Sequence, residues 1–231
     1  MTAEVRGFLF DYGGTLDTGG RHWGCVLRDI WQQTGIPAGE ELFREAYVYG
    51  ERTLGSQPLV GKDFTFRQTL ETKVRLEMDF LARAGMRNAA QYAEPVVAAA
   101  YEVARSHTAQ SRKVLERLKN NSPLVLVSNF YGNISVILEE FSLGGLFQSV
   151  IESAAVGIRK PDARIFKMGV EALRLPAPQV TVVGDSMAKD ILPARSIGCR
   201  TVWLRGEQWD GLQPDERQAD RVIDRLDELL G

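Results

Sequence analysis

The sequence is poor in the residues that build disulfide frameworks and zinc sites. Of 231 residues only two are cysteine, Cys25 and Cys199, and neither sits in a CxxC pattern. That usage fits a reducing compartment, with both thiols read as small buried apolar groups. Only two histidines, His22 and His107, are present, too few for a histidine-rich zinc site. No uninterrupted apolar run reaches the ~18 residues of a membrane span, and residues 1–6 carry no apolar signal region, so a cytoplasmic location with no membrane partner is expected. Basic excess is also missing. Lys and Arg total 28 against 30 Asp and Glu, a net charge of −2, which offers no stripe to neutralise a nucleic-acid backbone. There is no GxSxG elbow, no GxGxxG fingerprint, no internal repeat and no low-complexity stretch. Residues 55–62 approach a P-loop, but the glycines are one residue too far apart and Asp63 stands where Ser or Thr is required. Oligomeric state is not legible.

What is present is the composition of a globular protein, 44% hydrophobic and 25% charged. Short apolar runs at residues 7–10, 124–127, 149–151, 180–183 and 201–204, with a sixth at 221–223, read as strands buried on both faces of a parallel sheet. Helical patterns separate them. Val114, Leu115 and Leu118 form one stripe with Ser111 as its N-cap. Pro161 marks a helix start before Ile165, Phe166, Val170 and Leu173, and Ile191, Ala194 and Ile197 mark a helix ended by Gly198. Alternating strands and helices predict a doubly wound α/β sheet. About a hundred residues between the first two strands read as helical instead. Trp23, Val26, Leu27, Ile30 and Trp31 share one face; Leu42, Phe43, Ala46 and Tyr47 a second; Leu70, Val74, Met78 and Leu81, capped by Thr65, a third; Val97, Ala100, Tyr101 and Ala104 a fourth. The expected organisation is a core of residues 1–18 and 107–231 and an inserted helical cap of residues 19–106, with a loop at residues 55–63.

Ligand sites in such sheets lie beyond the carboxyl ends of the strands. After the first strand comes Asp11-Tyr12-Gly13-Gly14-Thr15, a carboxylate on a tight turn whose glycines admit an anion to backbone N–H groups. After the second come Ser128 and Asn129, a hydroxyl and an amide suited to a phosphoryl oxygen or to a helix cap. After the third comes Lys160, a cation just before a helix start, where it needs an anionic partner. After the fourth come Asp185 and Asp190, two acids suited to Mg²⁺. The alternatives are a capping Asp at position 11, a solvated lysine, and helix-start electrostatics for Asp190.

Taken in order, FLFDYGGTL, VLVSN, IRKPD and VVGDSMAKD resemble the haloacid dehalogenase superfamily over residues 8–223, and the placement of the insert is similar to its first cap class. The resemblance implies a Rossmann-like core and a hydrolase, most simply a phosphatase of small phosphorylated metabolites. Asp11 would be the nucleophile forming an aspartyl-phosphate. Asp11, the Gly13 carbonyl and Asp185 would hold Mg²⁺, with Asp190 an outer ligand or an orienting group. Ser128 would bond the transferring group, Lys160 would balance its charge, and Gly14, Thr15 and Asn129 would bind substrate.

One position departs from that pattern. Phosphatases of the superfamily usually carry an Asp two residues after the nucleophile, as acid and base; here it is Gly13. Asp17, His22 or Lys62 is available to supply the proton, each also explicable as a loop cap or a surface residue. A substrate needing little acid help would serve, such as an acyl phosphate, or a phosphonate; the phosphonate-cleaving branch uses a cap lysine, but neither Lys62 nor Lys73 matches that lysine's motif. So would a protein that binds a phosphorylated ligand without efficient turnover. Carbon–halogen cleavage ranks below these because it needs no metal, against which Asp185 argues. Residues 21–23 and 62–67 mix cations with aromatics and either line a pocket under the cap or form a snorkelling surface.

Overall fold

A computed structural model describes residues 5–209, 211 and 214–231; the expected features of residues 1–4 lie outside it. The six apolar runs are strands: β1 (Gly7–Phe10), β2 (Leu124–Ser128), β3 (Ser149–Glu152), β4 (Val180–Gly184), β5 (Arg200–Leu204) and β6 (Arg221–Ile223). All pair in parallel, in the order β3-β2-β1-β4-β5-β6. The chain runs outward from β1 in both directions, so the crevice of a doubly wound sheet opens beside β1, at the change of direction.

Among the described residues eight α-helices accompany the sheet: α1 (Trp23–Gln33), α2 (Glu40–Ser56), α3 (Phe66–Arg83), α4 (Ala93–Lys119), α5 (Ile134–Glu140), α6 (Ser153–Val156), α7 (Arg164–Leu173) and α8 (Leu192–Ser196). β2 and β4 are buried along their whole length, as strands covered on both faces must be. Alternate residues point to opposite layers. Leu9, Val125, Val127 and Val182 pack with Ile165, Phe166 and Leu173 of α7. Phe10, Leu124, Leu126 and Val183 belong to the larger apolar cluster that continues through Val114 and Leu115 of α4 into the inserted helices. No helix among the described residues is long and apolar enough to cross a membrane.

Four local expectations are corrected. Ser111 caps nothing: α4 runs unbroken from Ala93 to Lys119, and the expected boundary at residues 106/107 falls inside it. The Ser111 hydroxyl instead donates to the Leu16 carbonyl at 2.8 Å, tying this helix to the turn after β1. Pro161 follows a cis peptide, and α7 opens only at Arg164. Gly55 and Ser56 are the last residues of α2, so the connecting loop is shorter than expected. Between β4 and α8 the chain makes a π-helical turn, Met187–Ile191, rather than a simple helix start; such turns recur at functional sites.

Thr65 does open α3, in a capping box with Gln68. The inserted helices are seated on the core at that point. Glu140 of α5 accepts the Phe66 N–H at 2.6 Å, and Asn133 donates to the Phe64 carbonyl and the Thr69 hydroxyl at 2.9 and 2.8 Å.

Candidate active site

Asp11 extends β1 past its last sheet residue, its N–H bonded to the Val183 carbonyl at 3.0 Å. Asp185 leaves the end of neighbouring β4. The turn between them is held from within. Asp17 accepts the Gly14 N–H through Oδ1 at 2.7 Å and the Trp23 indole N–H through Oδ2 at 2.9 Å. Gly14 has φ of +99°, and a Cβ there would sit 2.5 to 2.6 Å from the Asp185 carboxylate. Glycine at 14 is therefore what lets β4's acid close onto the first turn.

The charged groups converge. Carboxylate oxygens of Asp11, Asp185 and Asp190 all lie within 4.8 Å of one another, and all three residues are buried. Lys160, from the loop after β3, places its ammonium between Asp11 Oδ1 and Asp190 Oδ1, the latter at 2.7 Å. Burial opposes the charge on Lys160, but the two carboxylates outweigh it and hold the amine protonated above its usual range. Asn129 Nδ2 and Oδ1 clamp the Lys160 main chain at 3.1 and 2.9 Å, which fixes where that ammonium emerges. Asp190 spends its other oxygen on the Ser186 N–H at 3.1 Å.

Three buried carboxylates face one ammonium, and the imbalance falls on Asp185. Its carboxyl is pushed well up by burial and then by Asp11 and Asp190. The Thr15 hydroxyl lies 3.1 Å from Asp11 Oδ2 and 3.0 Å from Asp185 Oδ1, and it accepts the Asp185 N–H at 3.0 Å. A hydroxyl has one proton to give, so it serves one of these oxygens and leaves the other wanting a positive partner. A hard divalent cation, which prefers carboxylate and carbonyl oxygens, fits that donor set.

The acids border a cavity of about 180 Å³ under the inserted helices. Asp11, Gly13, Asp17, Asn129, Lys160, Asp185 and Asp190 line it from the core side. Ser128 is buried at the end of β2 and does not line it. Gly14 and Thr15 have their polar groups engaged within the turn. Nothing lies within 4 Å of a Cβ built on Gly13, and its φ is not in the left-handed region. The place of a side chain at 13 is open space.

His22, Trp23 and Phe66 line the cavity, whereas Arg21 does not and pairs with Asp29 and Glu207. Lys62 and Arg67 are not at the cavity. Sequence reasoning passed over Glu51 of α2, and it considered Lys73 of α3 only as a Schiff-base amine. The two form an ion pair inside the cavity. The available signal was polarity in an apolar stripe: Glu51 lies between Tyr47 and Leu54 at helical spacing, and Lys73 between Leu70 and Glu77.

The model of the haloacid dehalogenase-like hydrolase family matches residues 5–198. A glyceraldehyde 3-phosphate phosphatase of Pyrococcus furiosus is 31% identical over 124 residues, 52% of this chain and 51% of the relative. A phosphoserine phosphatase of Thermus thermophilus is 38% identical over 73 residues, 32% of this chain and 28% of that protein. The chain thus aligns with about half or less of these relatives' length. Among solved structures, a dehalogenase with an intermediate complex superposes with a TM-score of 0.66 at 18% identity, covering 99% of this chain and 97% of that one. A phosphatase from Thermococcus onnurineus gives 0.55 at 21%, covering 97% and 96%. At these identities the likeness establishes the fold. With the family model spanning most of the sequence, and the acids and the lysine at the strand tips, the chain belongs to the haloacid dehalogenase-like hydrolases.

Proposed function

We propose that this hydrolase is a phosphatase of small phosphorylated metabolites that uses the Asp11 carboxylate as nucleophile and Mg²⁺ as cofactor. The observation that carries the proposal is the gathering of Asp11, Asp185 and Asp190 around the Lys160 ammonium at one end of a cavity. Asp11, Asp185 and the Gly13 carbonyl would hold the metal, which supplies charge neutralisation to an approaching phosphate. Asp190, with both oxygens engaged, acts through Lys160 and the Ser186 N–H.

Asp11 attacks phosphorus, the bond from phosphorus to the leaving oxygen breaks, and an aspartyl-phosphate forms. Water then attacks the same phosphorus, releasing orthophosphate and restoring the carboxylate. Lys160 offers its ammonium to the charge that collects during both displacements, and Asn129 keeps it in place. The leaving oxygen needs a proton, and Asp17 is poorly placed to give one, since each of its oxygens already accepts an N–H. Burial still pushes Asp17 up to about 7, but its bonding is that of a loop cap. Esters with good leaving groups are therefore expected to turn over fastest. Lys62 does not line the cavity and the Lys73 ammonium is paired to Glu51, which counts against an imine-forming phosphonate route.

The test is release of phosphate from an aryl phosphate. Activity dependent on Mg²⁺ is expected, with a loss of at least about 10³-fold in Asp11→Asn and a raised Mg²⁺ requirement in Asp185→Asn. Equal activity in wild type and Asp11→Asn removes the proposal. A second reading, binding of a phosphorylated ligand with little turnover, rests on the open space at Gly13. It predicts Mg²⁺-dependent ligand binding without phosphate release.

A further inference from the structure

The cavity has a second polar end, formed mainly by the inserted helices and the loop after β2, with Lys189 from the turn after β4 also lining the cavity and acting on Glu51. Glu51 of α2 and Lys73 of α3 meet there as an ion pair, and Tyr47, Tyr131 and His22 line the same space. The two charges are not equally presented. Lys73 keeps 9% of its side chain exposed and Glu51 keeps 39%. The Lys73 ammonium lies 4.3 Å from the centre of the Tyr47 ring, so it is held between an aromatic face and a carboxylate. Burial raises the Glu51 carboxyl, but Lys73, then His22 and Lys189, outweigh it and keep it ionised below its ordinary range. What the cavity meets is thus a fixed carboxylate whose charge is matched from behind. A carboxylate has about four acceptor positions; Lys73 takes one and the Tyr131 hydroxyl a second, which leaves room for a ligand hydroxyl.

Charge selects the ligand. The aromatic face and carboxylate that would hold a substrate ammonium are already occupied by Lys73, and a second ammonium would be repelled. A substrate carboxylate would meet Glu51 directly. A neutral hydroxyl can donate to Glu51 without disturbing the pair, as a charge-assisted hydrogen bond. The volume, about 180 Å³, is below the roughly 300–1,000 Å³ of sites for drug-sized ligands. We propose that Glu51 and Lys73 form a specificity subsite that selects phosphate esters of short, uncharged, hydroxyl-bearing alcohols, with Glu51 accepting a substrate hydroxyl and Lys73 positioning Glu51. This rests on the phosphatase reading above.

The experiment measures inhibition of aryl phosphate turnover by four small esters: glycerol 1-phosphate, n-propyl phosphate, phosphoethanolamine and phosphoglycolate. Inhibition does not require these alkyl esters to be good substrates. The glycerol ester is expected to bind about tenfold or more tightly than the propyl ester, the gain of one hydrogen bond to a charged acceptor, and more tightly than both charged esters. In Glu51→Gln, isosteric and uncharged, the glycerol-to-propyl ratio is expected to fall toward one. A purely structural role for Glu51 would weaken all four esters alike and leave the ratio unchanged. That outcome, or wild-type preference for the ammonium or carboxylate ester, or none, overturns the proposal; the wild-type series alone decides if the variant does not fold. Should wild type release no phosphate from the aryl ester, the phosphatase reading fails first and the subsite falls with it.

Discussion

On the proposed mechanism, Gly13 bears most on the chemistry, because it leaves no side chain where an acid would stand. A Cβ there meets nothing within 4 Å among the described residues, so the first atom of an Asp side chain finds room. General acid–base catalysis is worth about 10²–10⁴-fold. Gly13→Asp is accordingly expected to raise turnover of an alkyl phosphate by about that factor and to change aryl phosphate turnover far less. Parallel kcat measurements on the two ester classes check this, and an equal effect on both would contradict it. Glu77 yields a separate prediction. It is fully buried one turn beyond Lys73, neither oxygen has a partner among the described residues, and burial pushes its carboxyl from 4.5 up to about 8. Between those values the folded chain keeps a proton that the unfolded chain has lost, so stability falls as pH rises across the window and is level above it. Glu77→Gln removes that titration. Its melting temperature should exceed wild type by on the order of 10 °C at pH 8, the gap closing toward pH 4.5. At this scale the sequence was informative about Asp11, Lys160, Asp185 and Asp190, because a charged residue after an apolar strand has few other uses. It was silent on Glu51 and Glu77, since helical periodicity alone does not say which side of a stripe faces a cavity.

Among the elements, α4 carries the lesson. Its sequence shows two apolar stripes, one before and one after residue 106, and Ser111 has the chemistry of an N-cap. A break there was a fair expectation, yet the helix continues because both stripes find apolar partners along one axis, Val97 and Ala100 among the inserted helices and Val114 and Leu115 against the sheet. The Ser111 hydroxyl, free of capping, is spent on Leu16. Ser111→Ala leaves that carbonyl unpaired in a buried setting and is expected to cost about 1–3 kcal/mol, read by denaturant titration. A cost near zero would mean the helix does not brace the turn after β1. The strands were fully legible, since continuous apolar runs of this length have no other stable place. The π-helical turn at Met187–Ile191 was not, because it depends on Asp190 being drawn to Lys160 and the Ser186 N–H rather than on local propensity.

For the whole molecule, the sheet order explains why residues from four separate chain segments meet. β1 lies between β2 and β4, and the third connection returns Lys160 over the same edge. The apolar cluster that runs from the sheet into the inserted helices seats the second polar end of the cavity opposite the first. The central claim is that Asp11 carries the phosphoryl group between the two displacements. Quenching the enzyme during turnover of an aryl phosphate with Mg²⁺, then reducing with borohydride, converts an aspartyl-phosphate to homoserine, which peptide mass spectrometry locates. The account predicts homoserine at position 11, lost without Mg²⁺ and in Asp11→Asn. Steady phosphate release with an unmodified Asp11, or homoserine at position 185 or 190 instead, would contradict it.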